Sequence, residues 1–393
     1  MNVLVPHGFE ANYTVGFARG LSTNGVTLVV LSCDETEKRL SAAGIPNFNI
    51  RGRGSENRPV QEKLCNLLSY YWRLLLFIFR NRGGTIHFTG VFRNELIIIE
   101  GVIFSLAFRM AARRYVYTAH NILPHNRGRS LFFRWVYRLI YRFPHFVVVH
   151  TPETRRVLID QFGVSEAKIL VMSIGLNEEV AATALGRTGS RARLGYEDKA
   201  KVVLFFGRID EYKGLDLLIA AFDLLEMPDT HLMIAGAFRS SGYRERILAG
   251  IAGARRRADI RLDARLVPNE EVGVLFDASD VLCLPYRNIY QSGLLFLAMR
   301  FGKPVVATNV GSLAEFVTPD IGLVTKTNDA QGIANAIQDL FAAPEKFPKE
   351  RILAQAEKYR WDHVCRVLLP LYEAGVGNGQ IPASHIPAAP VCF

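Results

Sequence analysis

The sequence predicts an α/β fold of two doubly wound, Rossmann-like domains, each built on a parallel sheet. Three observations lead there. The chain has 393 residues, too many for one ordinary core, and its length points to two domains of somewhat under about 200 residues each. Short apolar runs rich in Val, Ile and Leu alternate with longer segments of helical period, the pattern of strands covered on both faces by crossover helices. The alternation breaks once, at residues 176–200, which are polar, rich in Ala, Gly, Arg and Ser, and without a clear period.

In chain order, the first domain, residues 1–175, carries strands at 2–6, 26–31, 85–89, 115–119, 145–150 and 168–172. Helical segments lie between them near 13–23, 60–81, 93–112, 130–142 and 152–162. Residues 176–200 are then the expected linker. The second domain, residues 201–355, carries strands at 201–206, 231–235, 259–262, 281–284, 304–308 and 322–325. Helices follow nearly every one, so right-handed crossovers and a parallel sheet are expected. Residues 356–375, with Trp361, read as a terminal helix packing back on the first domain, and 376–393, rich in Pro, Gly and Ala, as a disordered tail. Two such domains facing each other leave a cleft at the carboxyl ends of their strands, where open α/β sheets bind ligands.

The formal charge of +10 is unevenly placed. Residues 1–180 hold 22 Lys and Arg against 13 Asp and Glu, and the remainder 25 against 24. A basic first domain suggests an anionic partner, either nucleic acid or an anionic membrane surface. No nucleic-acid module or interleaved basic loop accompanies the charge, which disfavours the first. The five cysteines, at 33, 65, 283, 365 and 392, lack paired or metal-like spacing, which fits a reducing compartment. Residues 1–6 run directly into a strand, so no signal peptide is expected. The longest apolar runs, such as 96–108 with Glu100 inside, fall short of the roughly 20 residues that span a bilayer.

Two segments of the second domain carry the chemistry. After the strand ending at Phe206 comes Gly207-Arg208-Ile209-Asp210-Glu211-Tyr212-Lys213-Gly214. Gly207 lets the chain turn sharply. Arg208 offers a planar fork to phosphate oxygens and Lys213 a compact charge, so together they can neutralise a leaving diphosphate. Residues 285–315 then read as a strand end, a polar turn at Gln291, Ser292, Gly293 and Leu294, an apolar helix, a buried strand and a second turn at Gly311. Unpaired N–H groups at the start of that helix suit an anion. An Arg and Lys pair taken alone reads more readily as two solvated loop cations; the place of Arg208 and Lys213 at a strand's carboxyl end, and the Ser292–Gly293 turn, favour the site.

The combination Gly-Arg-x4-Lys-Gly, a polar turn, an Ala-containing helix, Gly302-Lys303-Pro304-Val305-Val306-Ala307-Thr308 and then Gly311-x3-Glu315 resembles glycosyltransferase family 4. The likeness is dense from about Val202 to Leu340 and looser in the first domain. It implies the GT-B fold, a nucleotide-sugar donor held mainly by the second domain, an acceptor held mainly by the first, no cofactor and no obligatory metal. Carried over residue by residue, Arg208 and Lys213 match the family's diphosphate cations. Arg265, Leu266 and Val267 match the segment whose backbone holds the nucleotide base. Gln291, Ser292 and Gly293 match the turn whose amides contact the sugar and phosphate, with Tyr286 and Tyr290 lining the same pocket. Glu315 matches a glutamate near the donor.

One departure stands out. The family's two glutamates flanking seven residues fall here on Ile289 and Leu297. Neither side chain can accept a hydrogen bond from a ribose. The retention at the anomeric carbon that the family implies is therefore an expectation that inversion rivals, and Gln291 is the candidate to replace part of the sugar contact through its amide.

In the first domain Thr118-Ala119-His120-Asn121 closes a strand, which aims His120 at the ligand face. The resemblance gives it contact with the transferred sugar or the acceptor, whereas a lone His is more often a satisfied structural residue. His7 and His125 are candidate neighbours. The first loop offers Gly8, a candidate donor contact, and Glu10, a candidate acceptor-side base should the transfer invert.

Residues 127–143, RGRSLFFRWVYRLIYRF, place Arg134, Arg138 and Arg142 on one helical stripe beside bulky aromatics. With Arg127, Arg129 and Trp135, that is the composition of a helix lying in a membrane interface. The bland alternative is a crossover helix burying its aromatics on the sheet while the arginines are merely solvated. The sequence thus points to a cytoplasmic, peripheral-membrane hexosyltransferase using a GDP or UDP sugar, with a glycan or polyprenyl-linked acceptor. Its rivals are a nucleotide-sugar epimerase of the same fold and a non-catalytic nucleotide-sugar-binding scaffold.

Overall fold

The computed structural model describes residues 1–6, 11–52, 59–91, 94–123, 130–178, 180–289 and 292–373. The chain divides into two compact units, Met1–Gly175 with Arg360–Phe393, and Leu176–Tyr359.

The first unit holds a seven-stranded sheet: β1 (Asn2–Val5), β2 (Leu28–Ser32), β3 (Asn47–Asn49), β4 (Thr85–Phe88), β5 (Arg114–Thr118), β6 (Phe146–Val149) and β7 (Ile169–Val171). Their order is β3-β2-β1-β4-β5-β6-β7, every pair parallel. The crossover helices bury Phe17, Leu21 and Leu40 against Leu4, Val30, Val116 and Val148. Helix Pro152–Phe162 shows how local sequence sets an element: Thr151 caps its first turn by accepting from the Thr154 amide at 3.0 Å, and Gly163 ends it in the left-handed conformation, φ 67°. The region read as one helix at 93–112 contains a π-helical turn, Ile98–Ile103, before the helix Phe104–Ala111.

The C-terminal segment from Arg360 completes this unit. Trp361 and Leu368 join its core. The buried Arg114 guanidinium donates to the carbonyls of Pro370, Leu371 and Glu373 at 2.8–3.3 Å. The segment, expected as a helix or a pair of helices, consists of short helical turns, Trp361–Val364 and Leu369–Tyr372, joined by a 3-10 turn.

The second unit holds β8 (Lys201–Phe206), β9 (Thr230–Ala235), β10 (Ile260–Asp263), β11 (Val281–Leu284), β12 (Val305–Ala307) and β13 (Gly322–Val324), ordered β10-β9-β8-β11-β12-β13, again all parallel. Residues 176–200, expected as a linker, instead contain the helix Gly186–Leu194, which packs on the helix Asn269–Ala278. A buried ion pair between Arg191 and Asp280, 2.7 Å, fixes it, and the same guanidinium donates to the Ala278 carbonyl. That partner lies 89 residues away, which is why local composition read as loop. Among the described residues no helix is long and apolar enough to cross a membrane.

Candidate functional site

In the second unit strand order runs outward from β8 in one direction and from β11 in the other, so the switch point lies between these two. Ligands of open α/β sheets bind at such points, beyond the carboxyl ends of the strands. The two sequence motifs leave from those very ends.

After β8, Gly207 takes φ 94° and turns the chain. Asp210 accepts from the Glu211 amide at 2.8 Å and starts the turn Glu211–Lys213. Gly214, φ 66°, opens the helix Leu215–Asp223, and a Cβ there would stand 2.0 Å from the Pro285 carbonyl oxygen. The loops after β8 and β11 thus touch through backbone, tied further by the Arg287 amide donating to the Tyr212 carbonyl, 2.8 Å, and by the two-pronged Arg287–Asp216 pair, 2.6 and 2.7 Å. Gly214→Ala is expected to destabilise the protein by more than about 1 kcal/mol, since it meets both a wrong φ and a backbone clash. Chemical denaturation measures this, and an unchanged midpoint would contradict the packing.

This architecture buries Lys213, which is 7% exposed. Its Nζ lies 5.8 Å from the centre of the Tyr286 ring and 3.2 Å from where a Cβ at Gly207 would stand, with Leu294 Cδ1 at the same 3.2 Å. Gly207, Lys213 and Leu294 therefore meet at one point. Among the described residues neither Lys213 nor Arg208 has a hydrogen bond or ion pair, whereas the nearby Arg239, Arg246 and Arg287 are all paired with carboxylates. Burial, then the neighbouring Arg208 charge, push the Lys213 ammonium down to about 8, against a smaller opposing pull from Asp210. A buried cation without a countercharge is costly.

Ser292 stands just before the helix Gly293–Arg300, and its hydroxyl is 3.1 Å from the Tyr286 hydroxyl. Among the described residues, a Cβ at Gly293 would meet nothing within 4 Å. The first amides of a helix lack intrahelical partners and suit a phosphate. Tyr286 is only 1% exposed, so it does not line a pocket as the sequence suggested. It props Ser292 from beneath and closes over Lys213, and Thr308 Oγ1 donates to its carbonyl at 2.6 Å.

The remaining second-unit candidates lie around this centre. Arg265 is bound by Asp263 at 3.0 and 3.1 Å and by Glu271, so its charge is already paired with carboxylates. Leu266 is 83% exposed at the sheet's edge, beyond β10. Glu315 sits half-buried in the short helix Leu313–Phe316 after β12, with its Oε2 atom shielded from solvent. Ile289 and Leu297 are both buried, so apolar packing occupies the two places where the resemblance puts carboxylates. Tyr290 and Gln291 lie outside the described residues, as do Gly8, Glu10, His7, His125, Arg127, Arg129 and the tail 376–393.

In the first unit His120 follows β5, half-buried, with its Nδ1 3.1 Å from Nε2 of His150, which follows β6. Tyr13 sets its ring edge against both imidazoles, at 4.5 and 5.8 Å between centres. Sequence reasoning missed His150 and Tyr13, although His150 closes its strand just as His120 closes the neighbouring one. Among the described residues no group of three His, Cys, Asp or Glu side chains is placed to hold a metal ion.

Helix Leu131–Arg142 splits its bulk between two faces. Phe133, Val136, Tyr137, Ile140 and Tyr141 are buried, while Leu131, Phe132 and Trp135 are exposed. Arg138 and Arg142 are exposed, and Arg138 donates to the Gln161 carbonyl at 3.1 Å. Arg134 is only half-exposed and lies 6.0 Å from the Phe162 ring centre.

Two family descriptions match the chain: "Glycosyltransferase Family 4" over residues 11–180 and "Glycosyl transferases group 1" over 187–358. D-inositol 3-phosphate glycosyltransferase of Kineococcus radiotolerans is 30% identical over 256 residues, 58% of this chain and 57% of that protein. The Corynebacterium aurimucosum protein of the same name is 31% identical over 61% of this chain and 59% of its own. The match thus spans little more than half the length of these curated relatives. Among solved structures, sucrose-phosphate synthase of Thermosynechococcus elongatus superposes with a TM-score of 0.74 at 18% identity, covering 95% of this chain and 98% of that one. Anabaena HepE in complex with UDP-glucose superposes with a TM-score of 0.71 at 20% identity, covering 93% and 96%.

Two parallel-sheet units, superposing on these structures along nearly their whole length, define a GT-B fold. With the two family models matching its two halves, the chain belongs to glycosyltransferase family 4.

Proposed function

We propose that this protein transfers a hexose from a GDP- or UDP-linked sugar to a glycan or lipid-linked oligosaccharide acceptor, at the cytoplasmic face of a membrane, in cell-surface polysaccharide synthesis. The observation that carries the reading is Lys213, a buried cation with no hydrogen bond or ion pair among the described residues, beside Arg208 and the start of helix Gly293–Arg300. Breaking the bond between the anomeric carbon and the diphosphate builds negative charge on the departing phosphate. Arg208, Lys213 and the helix amides stabilise that charge where it develops. These groups supply the electrostatic role that a metal plays in other transferases. Activity is therefore expected to persist after exhaustive chelation, and its loss, restored by a divalent ion, would defeat that part of the reading.

Membrane contact rests on three neighbouring helices of the first unit that leave large apolar side chains in solvent. Val60–Arg80 exposes Leu64, Leu68 and Trp72 at four-residue spacing, Phe104–Ala111 exposes Leu106 and Met110, and Leu131–Arg142 exposes Leu131, Phe132 and Trp135. Exposed apolar bulk rimmed by Arg73, Arg109, Arg138 and Arg142 is the chemistry of an anionic lipid surface.

Incubating the purified protein with labelled UDP and GDP sugars and membrane extract tests the whole reading. Label in an acceptor product supports it. Sugar isomerisation without an acceptor marks the epimerase. The scaffold reading draws its support from the buried Ile289 and Leu297, and donor binding without turnover would establish it.

A further inference from the structure

At the amino edge of the first unit's sheet, the edge opposite His120, a second group of chemistry-bearing residues comes together. The register pairs Val116 with Phe146 and Val147 with Ile169, which sets His145 beside Tyr115 and Lys168 beside Phe146. The helices Phe104–Ala111 and Leu131–Arg142 precede β5 and β6 and end at that same edge, with Arg109 and Arg142 in their last turns. Burial, then the charges of Arg109 and Arg142, lower the Lys168 ammonium, so three like charges act on one another here. Among the described residues none of the three is paired with a carboxylate, whereas Arg155 on the next helix holds Glu166 at 2.6 Å.

His145 adds a directional constraint. The Tyr115 amide donates to its Nδ1 at 2.9 Å, so that nitrogen carries a lone pair. Burial, then Arg109, lowers this imidazole to about 4, so near pH 7 the ring is neutral and its proton sits on Nε2. The group against Nε2 is the Arg109 guanidinium, which has only N–H groups to offer. Two donors thus point at the same space, an arrangement that an acceptor with several oxygens satisfies. Cations in a helix's last turn offset its dipole, which accounts for Arg109 and Arg142 singly. It does not account for Lys168, which precedes a strand, or for the meeting of donors.

We propose that Arg109, Arg142, Lys168 and His145 form a headgroup site for the phosphate of an anionic membrane lipid, whose acyl chains lie against Leu106 and Met110. These two side chains flank Arg109 on its own helix and are 44 and 65% exposed, so the donors border apolar surface as a phosphate borders acyl chains. The choice of a lipid rests on the membrane reading above; the anion site does not.

Side-chain nitrogen NMR of histidine-labelled protein tests the site directly, with His145→Gln assigning the signal. The His145 Nε2 resonance is expected to shift when phosphatidylglycerol is added to phosphatidylcholine bicelles. It is expected to stay in place with phosphatidylcholine alone, or with inorganic phosphate at the same phosphate concentration. An equal shift with inorganic phosphate would overturn the lipid assignment, and no shift in any arm would overturn the site. Sedimentation with vesicles of the same lipids gives a second reading. Arg109→Gln with Lys168→Gln is expected to weaken binding to phosphatidylglycerol vesicles by about tenfold or more. The control is Arg19→Gln with Lys38→Gln, the same loss of charge from exposed residues of the helices Ala11–Thr23 and Asp34–Ala42. Strands β1 to β3 run across the sheet in the direction opposite to β4 to β7, so right-handed crossovers put these helices on its other face. That pair is expected to bind within about twofold of wild type. Equal losses in the two variants would leave only diffuse charge attraction and overturn the site. Wild-type protein that ignores every vesicle would overturn the membrane reading and the lipid with it, whereas vesicle binding that survives Arg109→Gln with Lys168→Gln in full would overturn this site alone. Should that variant fail to fold, the wild-type resonance still decides.

Discussion

Lys213→Met is expected to lower kcat/KM for the sugar donor by about 10²–10³-fold, the usual cost of deleting a preorganised charge from a site where an anion develops. The fold is expected to survive, because Met fills a similar volume and removes a buried ammonium that has no carboxylate partner among the described residues. Donor affinity should also depend on pH in a way that identifies the residue. In the free protein Lys213 is held down to about 8 by burial and by Arg208. Below that value it is charged and binds a diphosphate fully. As pH rises through 8 the amine becomes neutral and affinity falls, by at most tenfold per unit. The sign for stability is opposite. A lysine whose folded value lies below its ordinary one destabilises the fold throughout the range below about 8, and the penalty is relieved between about 8 and 10.5. Calorimetric titration of a UDP or GDP sugar from pH 7 to 9 reads the binding effect, and the variant, titrated alongside, cancels ionisation of the nucleotide itself. A variant that keeps within about threefold of the wild-type rate, or that shares its pH profile, would remove Lys213 from the mechanism.

The legible parts of this protein are those whose partners are near in sequence. All six strands of the second unit stand where aliphatic runs placed them, because a strand buried on both faces announces itself locally. The polar edge strand β3 escaped notice. Its sequence, Asn-Phe-Asn, carries no apolar alternation, and side-chain amides hold it: Asn49 donates to Asp34 and Glu37 of the helix Asp34–Ala42 at 2.7 and 2.8 Å. Arg208, Lys213, Ser292 and Gly293 could be singled out as candidates because each follows a strand end closely, Arg208 after Phe206 and Gly293, the furthest, after Leu284. Tyr286 was placed in the pocket by that same proximity, and only the packing of its ring against Lys213 shows that it supports the pocket from below. His150 could not be ranked above any other strand-terminal residue until β6 was known to lie beside β5. Pairing between strands is the information that one-dimensional pattern lacks.

Replacing Arg134, Arg138 and Arg142 together by Gln is expected to release the protein from anionic vesicles by on the order of 30- to 100-fold at low salt. A basic side chain near a negatively charged leaflet contributes about 1 kcal/mol, and the structure grades the three. Arg138 and Arg142 are exposed and count in full, whereas Arg134, half-covered beside Phe162, counts for less. A second, independent contribution comes from Leu131, Phe132 and Trp135, which are 82, 54 and 58% exposed on a helix whose other aromatics are buried. The two terms separate by salt. Added sodium chloride screens the arginines within a Debye length of about 10 Å at 0.1 M and leaves apolar insertion intact. A Leu131→Ser, Phe132→Ser, Trp135→Ser variant should therefore lose the salt-resistant part of binding and keep the salt-sensitive part, with the arginine variant showing the converse. Apart from Arg134, half-covered beside Phe162, both sets of substitutions fall on solvent-facing positions, so neither should shift the unfolding midpoint appreciably. Partitioning that is unchanged in both variants would show that the exposed aromatics and arginines face water in use, and that a lipid-borne acceptor does not reach the enzyme through this helix.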